Sequence, residues 1–157
     1  MRVGRGYDLH RLVPGRRLLL GGCEVPSEVG EEAFSDGDVL LHAVIDALLG
    51  ASGQEDIGAH FPPGDPEYEG ISSRTLLGRT LEIVRKAGFR PSSLDSTVVL
   101  EAPKLRPHIP RIRETLAGDL GLDKSLVSVK AKTKEGLGPV GQGRAVEAYS
   151  VVLLESL

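Results

Sequence analysis

The sequence predicts an α+β fold, a single domain over residues 1–157 in which a small, mixed but mostly antiparallel sheet has its helices packed on one side. Three observations support this class. Short stretches of alternating polarity predict strands, longer stretches with helical periodicity predict helices, and the two kinds are interleaved without strict βαβ alternation. No repeat and no low-complexity linker divides the chain, whose length suits one domain with its own core.

The chain is predicted to begin with a β-hairpin. Residues 2–10 alternate between small or apolar and polar types, and a turn follows at Val13-Pro14-Gly15. The apolar Leu18–Leu20 then runs into two glycines. Two apolar-patterned stretches on either side of a turn are typical of paired antiparallel strands.

A buried helix and a long loop are expected next. Ser35 and Asp38 resemble a capping box in front of a helix over about 36–51. That helix is apolar nearly all round, which indicates burial. Residues 52–71 are rich in Gly, Pro and acidic residues without periodicity, so we expect a long loop of the kind that is often functional.

The second half of the chain predicts helix, strand, helix, strand, strand. Serine is a preferred helix N-cap, proline is favoured in the first helical turn, and glycine is favoured just past the last turn. Alternating β-branched residues predict the strands. The expected elements are a helix from Ser72 or Ser73 to Gly88, a strand over Leu94–Leu100, a helix from Pro110 to Gly121, a strand over Val127–Lys132, and a strand over Ala145–Leu154.

Composition and charge exclude several classes of protein. With 19 Lys and Arg against 22 Asp and Glu, the net charge of −3 argues against a nucleic-acid or anionic-membrane partner. The single cysteine, Cys23, cannot form an intramolecular disulfide, and no apolar stretch is long enough to span a bilayer. Because the first residues also lack a signal-peptide core, we expect a cytoplasmic protein. The absence of Asn fits a thermophile source.

A candidate metal site combines Asp8, His10 and His42. Residues 8 and 10 of a strand point to the same face, so a carboxylate and an imidazole project side by side. His42 lies mid-helix, one turn from both Asp38 and Asp46, and either carboxylate would fix its tautomer by accepting the second ring N–H. Such an N/N/O set with an open fourth position suits catalytic Zn²⁺. The alternatives are a solvated strand face and a hydrogen-bonded core histidine.

A candidate phosphate site follows near the C-terminus. Lysines and a hydroxyl over residues 130–135 precede a glycine-rich stretch over residues 136–143. Backbone N–H groups approach a phosphate closely where glycines leave room, and Glu135 would hold Mg²⁺, which commonly takes one carboxylate plus substrate phosphates. The alternative is a hairpin loop with solvated lysines.

An ordered set of motifs resembles one known family. The motifs are Gly6-Tyr7-Asp8-Leu9-His10, Ser35-Asp36-Gly37-Asp38-Val39 with Leu41-His42-Ala43, Asp56-Ile57-Gly58 with Phe61-Pro62, Ala102-Pro103-Lys104 with Pro107-His108-Ile109-Pro110, and Val129-Lys130-Ala131 with Thr133 and Glu135. In this respect the chain resembles the 2-C-methyl-D-erythritol 2,4-cyclodiphosphate synthase family of the non-mevalonate isoprenoid pathway, over essentially its whole length. Each motif alone is weakly specific, whereas the ordered set is specific.

The resemblance implies a metal-dependent lyase acting as a homotrimer with intersubunit active sites. Its substrate would be 4-diphosphocytidyl-2-C-methyl-D-erythritol 2-phosphate, converted to 2-C-methyl-D-erythritol 2,4-cyclodiphosphate and CMP. Zinc or another divalent metal would bind Asp8, His10 and His42, while Glu135 would hold Mg²⁺ or Mn²⁺ with the diphosphate. The implied catalytic residues are Thr133, Phe34 and Glu135.

Further substrate contacts are implied by the same resemblance. Asp56 and Gly58 would hold the ribose, residues 100–106 the cytosine, and Ser35 a phosphate. The complete set comprises Asp8, Leu9, His10, Phe34, Ser35, Asp56, Ile57, Gly58, Phe61, Asp65, Leu100, Ala102, Pro103, Lys104, Leu105, Arg106, Lys132, Thr133, Lys134, Glu135 and Gln142.

Several residues depart from the family pattern. Phe34 stands where a histidine is common, so only its backbone N–H is left to serve a phosphate. Lys132 stands where a threonine is common, and its charge would compensate if it points inward. Pro139 and Gln142 replace an aromatic residue and an arginine that in some relatives face a cavity on the trimer axis.

Two other functions stay open from the residues alone. A zinc-dependent phosphohydrolase would use the same pocket to direct water at phosphorus, although no second metal cluster or positioned base is evident. A cytidine-nucleotide-binding trimer without turnover would follow if Phe34 disables catalysis.

Overall fold

The computed structural model describes residues 1–157 and contains seven strands and five α-helices. The strands are β1 (Arg2–Pro14), β2 (Leu18–Leu20), β3 (Cys23–Val25), β4 (Val29–Glu32), β5 (Phe89–Val99), β6 (Val127–Lys132) and β7 (Ala145–Ser156). The helices are α1 (Val39–Ser52), α2 (Ile57–His60), α3 (Ser73–Lys86), α4 (Ile109–Leu120) and α5 (Gly138–Gly141). Single 3₁₀ turns lie at Pro66–Tyr68 and Lys124–Leu126. No helix is both long enough and apolar enough to span a membrane.

The main sheet has five strands in the order β4-β1-β7-β5-β6. The β1–β4, β1–β7 and β5–β7 pairs are antiparallel, and only β5 and β6 run parallel. A separate two-stranded sheet pairs β2 with β3. The predicted α+β class, with a mixed and mostly antiparallel sheet, is confirmed.

Helix α1 packs directly on one face of the sheet, against β1 and β7. Gly4 and Gly6 allow this approach, because a Cβ built at either position would lie 2.0 Å from the carbonyl oxygen of Ala47 or 1.8 Å from that of Ala43. Alternate residues of β7, from Val146 to Leu154, are buried beneath the helices. The opposite face of the sheet carries exposed apolar side chains, including Val3, Tyr7, Leu9 and Val151.

The predicted N-terminal hairpin is wrong in its pairing. Strand β1 continues to Pro14, where its last four residues pair with Val29–Glu32 rather than with Leu18–Leu20. Leu18–Leu20 instead turns back on Cys23–Val25 through Gly21 and Gly22, which both have positive φ. Two consecutive glycines suit a two-residue hairpin turn. Alternation of polarity predicts where a strand lies but does not predict which other strand it pairs with.

The start of α1 also differs from the prediction. Asp38, not Ser35, is the N-cap, and its carboxylate accepts a hydrogen bond from the Leu41 N–H at 2.9 Å. The same carboxylate accepts from the Gly21 and Gly22 N–H groups, which ties the β2–β3 turn to the helix. Because Asp38 is fully buried, these three donors replace the water it has lost.

The remaining helix boundaries agree with their capping signals. Ser72 caps α3, and α4 ends at Gly121, whose φ of 67° needs a residue without a Cβ. The loops over residues 52–71 and 136–143 contain the short helices α2 and α5, which the sequence did not indicate because a single turn shows no periodicity.

Candidate active site

Strand β1 and helix α1 bring three ligand-type side chains together. Asp8 Oδ2 lies 2.7 Å from His10 Nε2 and 3.0 Å from His42 Nδ1, and the two ring nitrogens are 3.2 Å apart. Asp8 and His10 share a face because they are two residues apart on a strand, and α1 places His42 opposite them across the close contact at Gly6. The cluster predicted from residue spacing is therefore assembled in space.

The donor atoms of this cluster fit a divalent metal. Burial alone would raise the pKa of Asp8, but hydrogen bonds from His10 and His42 outweigh that effect and hold its pKa far below the usual value. An ionised carboxylate and two imidazole nitrogens facing one another form the N/N/O set that zinc takes in catalytic sites. His10 Nδ1, on the outer side of its ring, is buried without a hydrogen-bond partner.

The support of His42 differs from the prediction. Neither Asp38 nor Asp46 touches its ring, because Asp38 binds backbone N–H groups of the β2–β3 turn and Asp46 accepts from the Ile57 N–H at 2.8 Å. His42 Nε2 instead lies 2.9 Å from Ser73 Oγ and 3.2 Å from Ser35 Oγ. Sequence reasoning considered Ser73 only as a helix cap and gave no signal for this contact.

A cavity of about 380 Å³ opens over the metal cluster. Among the substrate residues implied by resemblance, six line it beside the metal cluster: Leu9, Phe34, Ser35, Ile57, Gly58 and Phe61. The sequence did not single out Arg11, Glu32, Tyr68 or Leu76, which also line it. An open cleft with apolar walls and a few convergent polar groups is typical of small-molecule binding.

A second, smaller cavity of about 180 Å³ lies elsewhere on the chain. It is lined by residues from the end of β5, the segment before α4, and the end of β6: Leu100, Glu101, Pro103, Lys104, Leu105, Arg106, Ala131, Lys132 and Thr133. No residue is shared between this cavity and the one above the metal cluster. The residues implied for cytosine and the residues implied for metal therefore line two separate cavities of this chain.

The segment after β6 is held by two carboxylates. The Lys134 backbone N–H donates to Glu101 at 3.1 Å, and the Lys134 ammonium donates to Glu147 at 3.0 Å. Thr133 Oγ1 donates to Glu135 Oε1 at 3.0 Å, and Glu135 has a φ of 53°, unusual for a residue with a Cβ. Lys134 is thus ion-paired with Glu147 on the sheet, while Thr133 and Glu135 are hydrogen-bonded to one another.

The other implied contacts have structural partners in this chain. Asp56 caps α2 by accepting from the Ala59 N–H, and Asp65 accepts from the Glu67 N–H in the 3₁₀ turn. Gln142 Oε1 accepts from the Arg144 guanidinium at 2.6 Å. Six implied residues line neither cavity: Asp56, Asp65, Ala102, Lys134, Glu135 and Gln142.

Comparison with known proteins identifies close relatives. The YgbB family matches residues 1–155. The chain is 59% identical to the 2-C-methyl-D-erythritol 2,4-cyclodiphosphate synthase of Gloeobacter violaceus, covering 99% of this chain and 95% of that protein. It is 52% identical to the synthase of Geobacter sulfurreducens, covering 99% of each.

Solved structures show the same fold. A 2-C-methyl-D-erythritol 2,4-cyclodiphosphate synthase in its CDP-bound form matches with a TM-score of 0.91 at 39% identity, over 98% of this chain and 100% of that one. The bifunctional IspDF of Campylobacter jejuni matches with a TM-score of 0.95 at 36% identity, over 99% of this chain. The chain spans 42% of that bifunctional protein.

Proposed function

The chain belongs to the YgbB family, and on that premise we propose that it converts 4-diphosphocytidyl-2-C-methyl-D-erythritol 2-phosphate to 2-C-methyl-D-erythritol 2,4-cyclodiphosphate and CMP. One observation carries the proposal: Asp8, His10 and His42 converge beneath a cavity lined by residues that the family resemblance implies for substrate. The reaction expels CMP without adding water, which makes the enzyme a phosphorus–oxygen lyase.

The reaction needs positioning more than acid–base chemistry. An oxygen of the 2-phosphate attacks the β-phosphorus, a new P–O bond closes the ring, and the bond to the bridging oxygen breaks with its electron pair leaving on CMP. The attacking oxygen is already anionic, and with all phosphates ionised no proton is released or taken up. No protein nucleophile or general base is required.

The protein's own residues would hold the two reacting phosphates together. Asp8, His10 and His42 would bind zinc, and Glu135 would hold Mg²⁺ with the diphosphate; these ions supply positive charge that offsets repulsion between the phosphates and stabilises the leaving group. Ser35 and the Phe34 backbone N–H would contact phosphate at the cavity wall. Holding both groups in one molecule at the correct distance draws on an effective-molarity gain of up to about 7 to 11 kcal/mol.

The two separate cavities, taken as a metal half-site and a cytosine half-site, support an oligomer in which neighbouring copies share active sites, and the family resemblance implies that it is a homotrimer. The cytosine half-site does not reach the cavity over the metal cluster, so a complete site needs a second copy of the chain. Exposed apolar side chains on the open face of the sheet, among them Val3 and Leu9, offer a surface for such an association. A trimer is built from heterologous contacts that close into a ring after three copies. A cytoplasmic location and a thermophile source stay predictions.

The proposal is tested by incubating the purified chain with the diphosphocytidyl substrate, Mg²⁺ and Zn²⁺. We expect CMP and a cyclic diphosphate in equal amounts, with the product identified by its phosphorus NMR spectrum. CMP with a linear product would instead establish a phosphohydrolase. Tight CDP binding without any CMP release, in protein loaded with zinc, would establish a nucleotide-binding module.

A further inference from the structure

The outer nitrogen of His42 begins a chain of hydrogen bonds that leads away from the metal cluster. His42 Nε2 lies 2.9 Å from Ser73 Oγ, and Ser73 Oγ donates to Asp36 Oδ1 at 2.5 Å. The other oxygen of Asp36 accepts from the Ser73 backbone N–H at 2.9 Å. Both carboxylate oxygens of Asp36 therefore accept hydrogen bonds from Ser73, which is fully buried at the start of α3.

The direction of these hydrogen bonds follows from the inner nitrogen. His42 Nδ1 faces Asp8 and His10, and a nitrogen that binds a metal carries no proton. Nε2 must then carry the ring proton and donate to Ser73 Oγ, whose own proton goes to Asp36. Every donor in the chain has an acceptor in this arrangement.

We propose that Ser73 and Asp36 form a relay that orients His42 for metal binding, which makes both of them positioning residues for the metal site. The inference rests on the proposed function, since it presumes that His42 is a metal ligand. Asp8 is the only anionic member of the cluster. Through Ser73 the relay links His42 to a second carboxylate, that of Asp36, whose negative charge helps to offset the charge of a divalent ion. His10 has no such support, because its outer nitrogen is buried without a partner.

Ser35 is the competing hydrogen-bond partner of His42 Nε2, but Ser35 is less well placed than Ser73 to orient the ring. Its Oγ lies 3.2 Å from the ring nitrogen and already accepts from the Gly37 N–H at 3.3 Å. Ser35 also lines the cavity, whereas Ser73 is sealed from it and is fixed by Asp36. A buried hydroxyl with one orientation holds a ring more firmly than a hydroxyl exposed to substrate.

The test compares zinc dissociation constants by chelator competition in the full chain and in four variants. Ser73→Ala and Asp36→Asn should each raise the zinc Kd by about 10- to 100-fold, the usual cost of losing an outer-shell partner. Ser73→Thr keeps the hydroxyl and should restore most of the affinity. Ser72→Ala is the matched control, because Ser72 caps the same helix without touching His42, and its zinc Kd should stay unchanged.

Three further readouts separate a relay from a general loss of structure. Turnover of Ser73→Ala should recover when zinc is saturating, and its circular dichroism should match that of the wild type. In the zinc-loaded wild type, the His42 Nε2 proton should be protected from exchange, and Ser73→Ala should lose that protection. An unchanged zinc Kd in both Ser73→Ala and Asp36→Asn, or an equal loss in Ser72→Ala, would overturn the relay. Failure of the wild type itself to bind zinc would refute the proposed metal site instead.

Discussion

Replacing Gly6 with alanine should damage both the fold and the metal cluster. A Cβ at this position would lie 1.8 Å from the Ala43 carbonyl oxygen, whereas ordinary contacts begin at 3.4 Å. Strand β1 and helix α1 would therefore have to separate by about 1.6 Å, because backbone on both sides leaves nothing flexible to yield. We expect the free energy of unfolding to fall by about 3 kcal/mol, at the upper end of the range for overpacking.

The same displacement would pull His42 away from Asp8 and His10. His42 precedes Ala43 on the helix that must move, while the other two ligands are on the strand. Metal–ligand distances tolerate only about 0.2 Å, so we expect the zinc Kd to rise by at least about 100-fold, equivalent to about 2.8 kcal/mol. Urea denaturation at a fixed chain concentration measures the stability, and chelator competition measures the affinity.

Gly118→Ala is the matched control. Gly118 is exposed in α4 with nothing within 4 Å of a built Cβ, so the same substitution should leave zinc binding unchanged. It should also stabilise the protein by up to about 1 kcal/mol, since alanine is the better helix former. If Gly6→Ala binds zinc like the wild type and unfolds within about 0.5 kcal/mol of it, the close packing of β1 on α1 does not set the cluster geometry.

His42→Ala should abolish zinc binding and turnover while circular dichroism shows the fold intact. His108→Ala, its control, should leave zinc binding, turnover and the circular dichroism spectrum unchanged. If His42→Ala kept both its bound zinc and its activity, the role of His42 as a ligand would be refuted. Glu135→Gln should raise the Mg²⁺ concentration needed for half-maximal activity while zinc content stays constant, and the reverse pattern would count against the proposed division between the two ions. Burial, reinforced by the charge of Asp38, raises the pKa of Glu31 from 4.5 to about 9. Between about pH 5 and 8 the folded chain thus keeps a proton on Glu31 that the unfolded chain releases. As the pH rises over that range, the free energy of unfolding of the wild type should fall, relative to that of Glu31→Gln, by up to about 1.4 kcal/mol per pH unit. A rise over the same range would contradict the shifted pKa.

The features that the sequence predicts correctly are set by local spacing. Asp8 and His10 share a strand face because side chains alternate, and α4 ends at Gly121 because the left-handed C-cap favours glycine. Metal ligands found in this way need only one long-range contact, between β1 and α1, to come together. Ligand chemistry grouped His42 with the other two, because the three side chains make the N/N/O set that suits zinc, and the structure supplies the contact between strand and helix.

The features that the sequence misses depend on long-range pairing. The end of strand β1 pairs with residues 29–32 rather than with the nearer Leu18–Leu20. Strand pairing depends on which arrangement of the complete sheet buries its apolar face, and the local sequence does not contain that information. The contact of Ser73 with His42 spans 31 residues, and that of Ser73 with Asp36 spans 37. Two carboxylates one helical turn from His42 were the obvious candidates by local spacing, yet backbone N–H groups bind both of them.

Mixing two inactive variants tests whether the active site is shared between copies. His42→Ala disables the metal half-site, and Thr133→Asp places a negative charge at the exposed edge of the other half-site, where it would repel a phosphate. The two half-sites of one chain share no residue, so each variant keeps one of them intact.

If each active site takes one half from each of two neighbouring copies, random reassembly of an equal mixture gives an intact pair in one arrangement of four. Activity should then recover to about a quarter of the wild-type value after co-refolding, while each variant refolded alone stays inactive. A site contained within one chain would recover nothing, because every copy in the mixture carries one of the two lesions. The recovered fraction therefore distinguishes shared sites from sites within one chain.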